Sequence, residues 1–205
     1  MSNRQAHWDR IYRSRTVDAV SWYQRRPDMS LAMIARSGMP KEASVIDVGG
    51  GASTLADELL RLGYDDVTVL DIASAALRQS RERLGAAADR ITWIEDDVLA
   101  FVTPKRYALW HDRAVFHFLV DPAERVRYMH SLNACIQPDA QVIVATFAED
   151  GPERCSGLPV ARYDAEALHA AFGAGYELLE SAREIHRVPG GAEQRFTWVR
   201  LLRRA

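Results

Sequence analysis

Ala43-Ser44-Val45-Ile46-Asp47-Val48-Gly49-Gly50-Gly51-Ala52-Ser53-Thr54-Leu55 decides the reading of this chain. A short β-branched run stops at three glycines, as a buried strand does when it ends in a tight turn. Ser53 to Gly63 then places apolar residues at helical spacing, with a hydroxyl near the start and a glycine at the end. Strand, glycine turn and helix follow one another in order.

Outward from this unit the alternation repeats. Val67 to Asp71 reads as a second strand, Ala73 to Leu84 as a helix, Ile91 to Ile94 as a third strand and Tyr107 to Trp110 as a fourth. A helix over Pro122 to Cys135 leads to Gln141 to Phe147, a well-patterned buried strand. Strands alternating with helices predict a doubly wound, mostly parallel sheet. Beyond residue 150 comes a polar loop, a short helix over Ala165 to Phe172, and two strand-like runs, Tyr176 to Val188 and Glu193 to Leu202. Pro189-Gly190-Gly191 between them predicts an antiparallel hairpin that closes a seven-stranded sheet. Residues 1 to 40 read as helices packed over the core.

In an open parallel sheet, ligands settle at the carboxyl ends of the strands, where a glycine turn lets them approach the backbone. A dinucleotide fingerprint starting at Gly49 needs glycine at position 54, which holds Thr54. That disfavours a nicotinamide reductase. The chain has Asp47-x-Gly49-x-Gly51-x-Ser53 instead, and this resembles motif I of the class I S-adenosylmethionine-dependent methyltransferases. The resemblance runs from about residue 43 to residue 147. It implies a Rossmann-like fold, with S-adenosylmethionine as cofactor and S-adenosylhomocysteine as product.

Carried over position by position, the resemblance assigns Asp47, Gly49, Gly50 and Gly51 to the methionine side of the cofactor. Asp71, twenty residues after Gly51, and Ile72 fall to the ribose. Asp97 and Val98 fall to the adenine, with Asp96 as the alternative to Asp97. His111-Asp112-Arg113-Ala114 after the fourth strand matches a motif beside the methyl-transfer site, which makes Asp112 both a cofactor-binding and a catalytic candidate. Trp8, Tyr12 and Trp22-Tyr23 resemble the aromatic cap of thiopurine-type small-molecule methyltransferases, and an aromatic face suits a sulfonium. A similar Trp-Tyr pair also precedes the first strand in a protein lysine methyltransferase group.

His117, between Phe116 and Phe118 in an expected apolar wall, is the leading candidate for a general base, with His111, Asp112 and Tyr23 behind it. Arg154, in the loop from Gly151 to Pro159, is a candidate partner for an anionic substrate group.

A chain of 205 residues with 48% hydrophobic composition can bury one sizeable core. The expectation is one methyltransferase domain over residues 1–205, made of a helical cap (1–40) and a Rossmann-like core (41–205). A net charge of −2 and a pI near 6.3 give no electrostatic reason to expect nucleic acid or an anionic membrane as partner. Cys135 and Cys155 lack zinc-site spacing, so no metal is expected. The first 20 residues hold His7, Asp9 and several arginines but no apolar run, so the expected location is cytoplasmic.

The function expected is methyl transfer to an O, N or S centre, or a metalloid, of a small molecule by a monomer or homodimer. A protein lysine methyltransferase and a non-catalytic S-adenosylmethionine-binding protein are the alternatives.

Overall fold

A computed structural model describes residues 3–14 and 16–204. Two helices, α1 (Asn3–Ser14) and α2 (Asp28–Arg36), precede the first strand, β1 (Val45–Val48). The alternation then runs α3 (Leu55–Arg61), β2 (Val67–Asp71), α4 (Ser74–Leu84), β3 (Ile91–Glu95), β4 (Tyr107–Arg113), α5 (Pro122–Cys135) and β5 (Ile136–Phe147). Two short strands, β6 (Arg154–Cys155) and β7 (Leu158–Pro159), interrupt the loop read as irregular from sequence. After α6 (Ala165–Phe172), β8 (Tyr176–Arg187) and β9 (Glu193–Arg203) form the C-terminal antiparallel hairpin.

The seven-stranded sheet has the order β3-β2-β1-β4-β5-β9-β8. The first five strands in this order run parallel and β9 pairs antiparallel with β5. The chain winds from β1 to one side and then crosses to β4 on the other, so the crevice for a ligand opens at the carboxyl ends of β1 and β4. The sequence places this point at Asp47 to Gly51, and the sheet confirms it.

Both faces of the sheet are covered. Ile46, Leu70, Trp110, Val142 and Val144 pack with Tyr128 and Leu132 of α5 on one face. Val45, Val67, Leu109 and Ile143 pack with Met33, Ile34, Leu55 and Leu59 of α2 and α3 on the other. This is the period-2 alternation of strand side chains, and it fixes which face each later residue of β4 must take. Among the described residues, no helix is long and apolar enough to cross a membrane.

Strand β4 differs from expectation. It extends three residues beyond Trp110, so His111, Asp112 and Arg113 lie in the strand rather than after it. Pairing with both β1 and β5 supplies the extra ladder bonds that carry it onward.

Candidate active site

The cavity opens where β1 and β4 diverge, and contains roughly 780 Å³ of atom-free space, open solvent at its mouth included. On the β2–β3 side its wall carries Asp71, Ile72, Asp97 and Val98. On the β4 side stand Arg113, Ala114, Val115 and Phe118, joined by Cys155 from β6 and by Trp8, Tyr12 and Trp22 from the N-terminal segment.

Asp71 ends β2 with its carboxyl buried. Its Oδ1 accepts a hydrogen bond from the Ala73 backbone N–H at 2.7 Å. Burial pushes its pKa up to about 7, against the pull of backbone N–H groups of Ala73 and Gly51, and the charges of Asp47 and Asp9 add to the rise. A carboxyl desolvated this far is receptive to two hydroxyl donors.

Gly51 packs against that same carboxyl and against Ala76, so any side chain there would collide with them. Gly49 takes φ +68, and a Cβ on it would strike Val115. These two glycines therefore serve separate needs, close approach to Asp71 and a left-handed turn. Gly49 lines the cavity, whereas Gly50 and Gly51 are absent from the lining.

Asp47, assigned to the methionine side of the cofactor, is also absent from the lining. It points to the α2 face, where its Oδ1 meets His111 Nδ1 at 2.7 Å, and His111 Nε2 lies 3.0 Å from Ser30 Oγ. This Ser-His-Asp chain has the connectivity of a nucleophile relay, yet all three residues are buried and none lines the cavity. It ties α2, β4 and β1 together. Asp47 Oδ2 has no hydrogen-bond partner and sits under Gly50, where it would block any Cβ. Asp47 thus braces the glycine turn from behind.

Asp112 faces the opposite side of the sheet, as strand alternation requires. Its carboxyl accepts hydrogen bonds from the Val115 and Phe116 backbone N–H groups and, at 2.7 Å, from the Tyr128 hydroxyl. Burial raises its pKa to about 6. These bonds hold a turn in which Ala114, a wall residue, takes φ +71, a conformation costing roughly 1 kcal/mol outside glycine. Asp112 does not reach the cavity, so the two roles given to it by sequence become one role of positioning.

His117 is a second correction. It is fully buried between Phe118 and Phe147 and off the cavity wall, and its Nδ1 accepts a hydrogen bond from the Phe147 backbone N–H at 3.3 Å. Burial and the nearby charge of Arg113 push its pKa down to about 3. A group so placed has neither reach nor basicity for proton abstraction. Phe118 walls the cavity as expected, but Phe116 belongs to the core with Tyr128 and Phe172.

Tyr23 lines a shallow surface recess instead of the cavity. Arg154 is exposed, turning to the Gly157 carbonyl rather than the cavity.

The aromatic cap assembles as the i, i+4 spacing of Trp8 and Tyr12 requires. Trp22 packs edge-on to Trp8 and to Tyr12 and donates from Nε1 to the Tyr12 hydroxyl at 3.2 Å, while Trp8 packs on Phe118. Helix α1 is fixed over the cavity by polar ties. Asp9 Oδ1 accepts the Ala75 N–H at 3.1 Å, capping the first turn of α4 from another helix. Gln79 donates to the Tyr12 carbonyl, and Arg4 pairs with Glu124.

Arg113, Arg4 and Cys155 line the cavity without having been singled out for it from sequence. Arg113 stands inside the His111-Asp112-Arg113-Ala114 motif, and the signal available was a charged residue at the carboxyl end of a buried strand. Cys155 carried no signal, being brought in by a loop after β5.

The model of the nodulation protein S (NodS) family matches residues 11–202 of this chain. Among curated relatives, the mouse (Mus musculus) eEF1A lysine and N-terminal methyltransferase is 24% identical over 98 residues. That alignment covers 48% of this chain and only 14% of the relative's length. Among solved structures, Burkholderia thailandensis 1,6-didemethyltoxoflavin-N1-methyltransferase, with bound 1,6-didemethyltoxoflavin and S-adenosylhomocysteine, superposes with a TM-score of 0.76 at 18% identity. The match covers 98% of this chain and 88% of that one. The N-methyltransferase NodS from Bradyrhizobium japonicum superposes with a TM-score of 0.64 at 16% identity, over 87% of this chain and 94% of that one.

Proposed function

The chain belongs to the nodulation protein S family and is an S-adenosylmethionine-dependent methyltransferase, and from that premise we propose that it methylates a nitrogen of a small molecule. The observation that carries the proposal is the cavity itself: Trp8, Trp22 and Phe118 enclose it, and no carboxylate stands on the β4 side of its wall to receive a lysine ammonium. The two superposed structures, both of N-methyltransferases, support nitrogen as the acceptor atom.

Bound S-adenosylmethionine supplies an electrophilic methyl group on a sulfonium. In this proposal Asp71 accepts hydrogen bonds from the ribose hydroxyls, Asp97 and Val98 hold the adenine, and Gly49 lets the backbone approach closely. Trp8, Tyr12, Trp22 and Phe118 exclude water and turn apolar faces toward positive charge. In-line displacement depends mainly on holding the reacting atoms in register, so proximity supplies most of the rate. Neither Asp112 nor His117 reaches the cavity, and an acceptor nitrogen that arrives uncharged needs no base on the enzyme. Cytoplasmic location, a single domain over residues 1–205 and a monomeric or homodimeric state belong to this proposal and rest on the sequence.

The test is release of S-adenosylhomocysteine across a panel of small amines, N-heterocycles, phenols, thiols and a lysine peptide. Turnover confined to the nitrogen compounds is expected. Turnover with phenols, thiols or the peptide alone would replace the acceptor, the last in favour of the lysine reading. Tight product binding with no turnover on any arm would favour a non-catalytic sensor.

A further inference from the structure

The two walls of the cavity differ in chemistry. Its carboxylates, Asp71, Asp96 and Asp97, all stand on the β2–β3 side. On the β4 side Trp8, Trp22, Val115, Phe118 and Leu119 present mostly carbon, with Trp8 packed edge-on to Phe118 at 5.0 Å and to Trp22 at 5.8 Å between ring centroids. Among the described residues, no serine, threonine, asparagine or glutamine lines the cavity.

The polar groups on the β4 side are committed or neutral. Trp22 Nε1 donates to the Tyr12 hydroxyl, and the backbone N–H groups of Ala114 and Val115 go to the Ala145 carbonyl and the Asp112 carboxylate. Burial pushes the Cys155 thiol up to about 11, so it keeps its proton at neutral pH. The formal charges are the guanidiniums of Arg4 and Arg113, whose partners Glu124, at 2.6 Å, and Glu184, at 4.0 Å, do not line the cavity. An alkylammonium would meet two cations on this wall and no anion, and at pH 7 only about one lysine-like amine in 2,500 has its lone pair free. Sugar hydroxyls would give up water without gaining partners. A flat aromatic ring gives up little and packs face to edge on the rings already there. Where it carries a ring nitrogen of low basicity, the lone pair is free without any base.

Resting on the reading of the chain as an N-methyltransferase of small molecules, we propose that the acceptor is a flat N-heteroaromatic molecule held against Trp8, Trp22 and Phe118. The lone pair of its ring nitrogen forms the N–CH3 bond as the S–CH3 bond breaks. The electron pair of the broken bond stays on sulfur, and an acceptor with a ring N–H then releases that proton to water. The wall selects by what it omits, taking a nitrogen that is already uncharged and turning away cationic amines and amino sugars.

The experiment is calorimetry at neutral pH with benzimidazole, benzylamine and glucosamine, three nitrogen compounds of similar size, each added to the complex of the intact protein with S-adenosylhomocysteine. Benzimidazole should bind at least about tenfold tighter than either of the others. Phe118→Ala should weaken benzimidazole about fivefold by removing one ring of the wall. Ala114→Asp puts a carboxylate on the β4 side, at a wall position whose φ of +71 suits aspartate better than alanine. It should bring benzylamine to within about threefold of benzimidazole. Should neither variant fold, the wild-type ratios still decide. Smaller wild-type ratios, or a complex that takes none of the three compounds, would overturn the heteroaromatic class while leaving nitrogen as the acceptor atom. Failure of the wild type to bind S-adenosylhomocysteine at all would instead remove the methyltransferase reading beneath it.

Discussion

On the β2–β3 side, the cavity wall comes from residues at or next to the carboxyl end of a strand: Leu70, Asp71, Ile72, Asp96, Asp97 and Val98. On the β4 side the wall is assembled from distant pieces, with Trp8 and Trp22 from the N-terminal segment, Arg113 and Phe118 from β4 and its turn, and Cys155 from β6. The first side is a local product of strand-then-turn geometry. The second exists only when α1, the β4 turn and the β6–β7 hairpin are all in place, so its geometry depends on positioning groups such as Asp112 and Asp9 that do not line the cavity.

The largest effect that would break this contrast is expected at Asp71. Asp71→Ala should weaken S-adenosylhomocysteine binding about 100-fold, through loss of two hydrogen bonds to a charged acceptor, while leaving the fold intact by circular dichroism. The raised pKa of about 7 adds a pH signature. In the unliganded protein the folded state holds a proton that the unfolded chain, with an ordinary carboxyl near pH 4, has lost. This group therefore lowers stability as pH rises from about 4 to about 7. Binding needs the ionised form, so affinity should rise up to about tenfold between pH 6 and pH 8. Titrations of Asp71→Asn should be flat over that range. A pH-dependent Asp71→Asn would place the ionisation elsewhere.

On the β4 side, Asp112→Ala should cost about 2 kcal/mol of stability by stranding the Tyr128 hydroxyl and two backbone N–H groups, measured by denaturant unfolding. Because the turn carrying Ala114 and Val115 would relax, acceptor KM should rise more than KM for S-adenosylmethionine. Equal changes in both would show that the two sides are one unit.

The smallest effect is expected at His117. In His117→Asn an amide oxygen can take over from Nδ1, so stability should fall by no more than about 1 kcal/mol. Turnover should stay within about twofold and its pH profile should keep its shape. A lost ionisation in the kcat profile would restore His117 as a base.

The same division explains what could be read in advance. The glycine turn, the order of the elements and Asp71 follow from periods of 2 and 3.6 residues and from glycine at its turn, all local signals. His111, Asp112 and Arg113 stood in one recognisable motif, yet strand alternation turns His111 and Asp112 to opposite faces and leaves only the third residue at the cavity. Their division of labour depended on how far β4 runs, which is set by pairing with β1 and β5. Asp9 and Gln79 had no signal at all, because the capping of α4 by α1 joins residues 66 apart in the chain.

Local pattern in the sequence thus determined the parallel sheet, its closing hairpin and the acidic residues at the carboxyl ends of β2 and β3, since each is encoded within a few residues of itself. Tertiary structure alone decided that Asp47 and His111 brace the turn, that His117 is core, and that Arg113 is buried beside Glu184 and Phe196. The physical reason is that burial and hydrogen-bond satisfaction are properties of neighbours in space, and those neighbours come from elements that the chain order keeps apart.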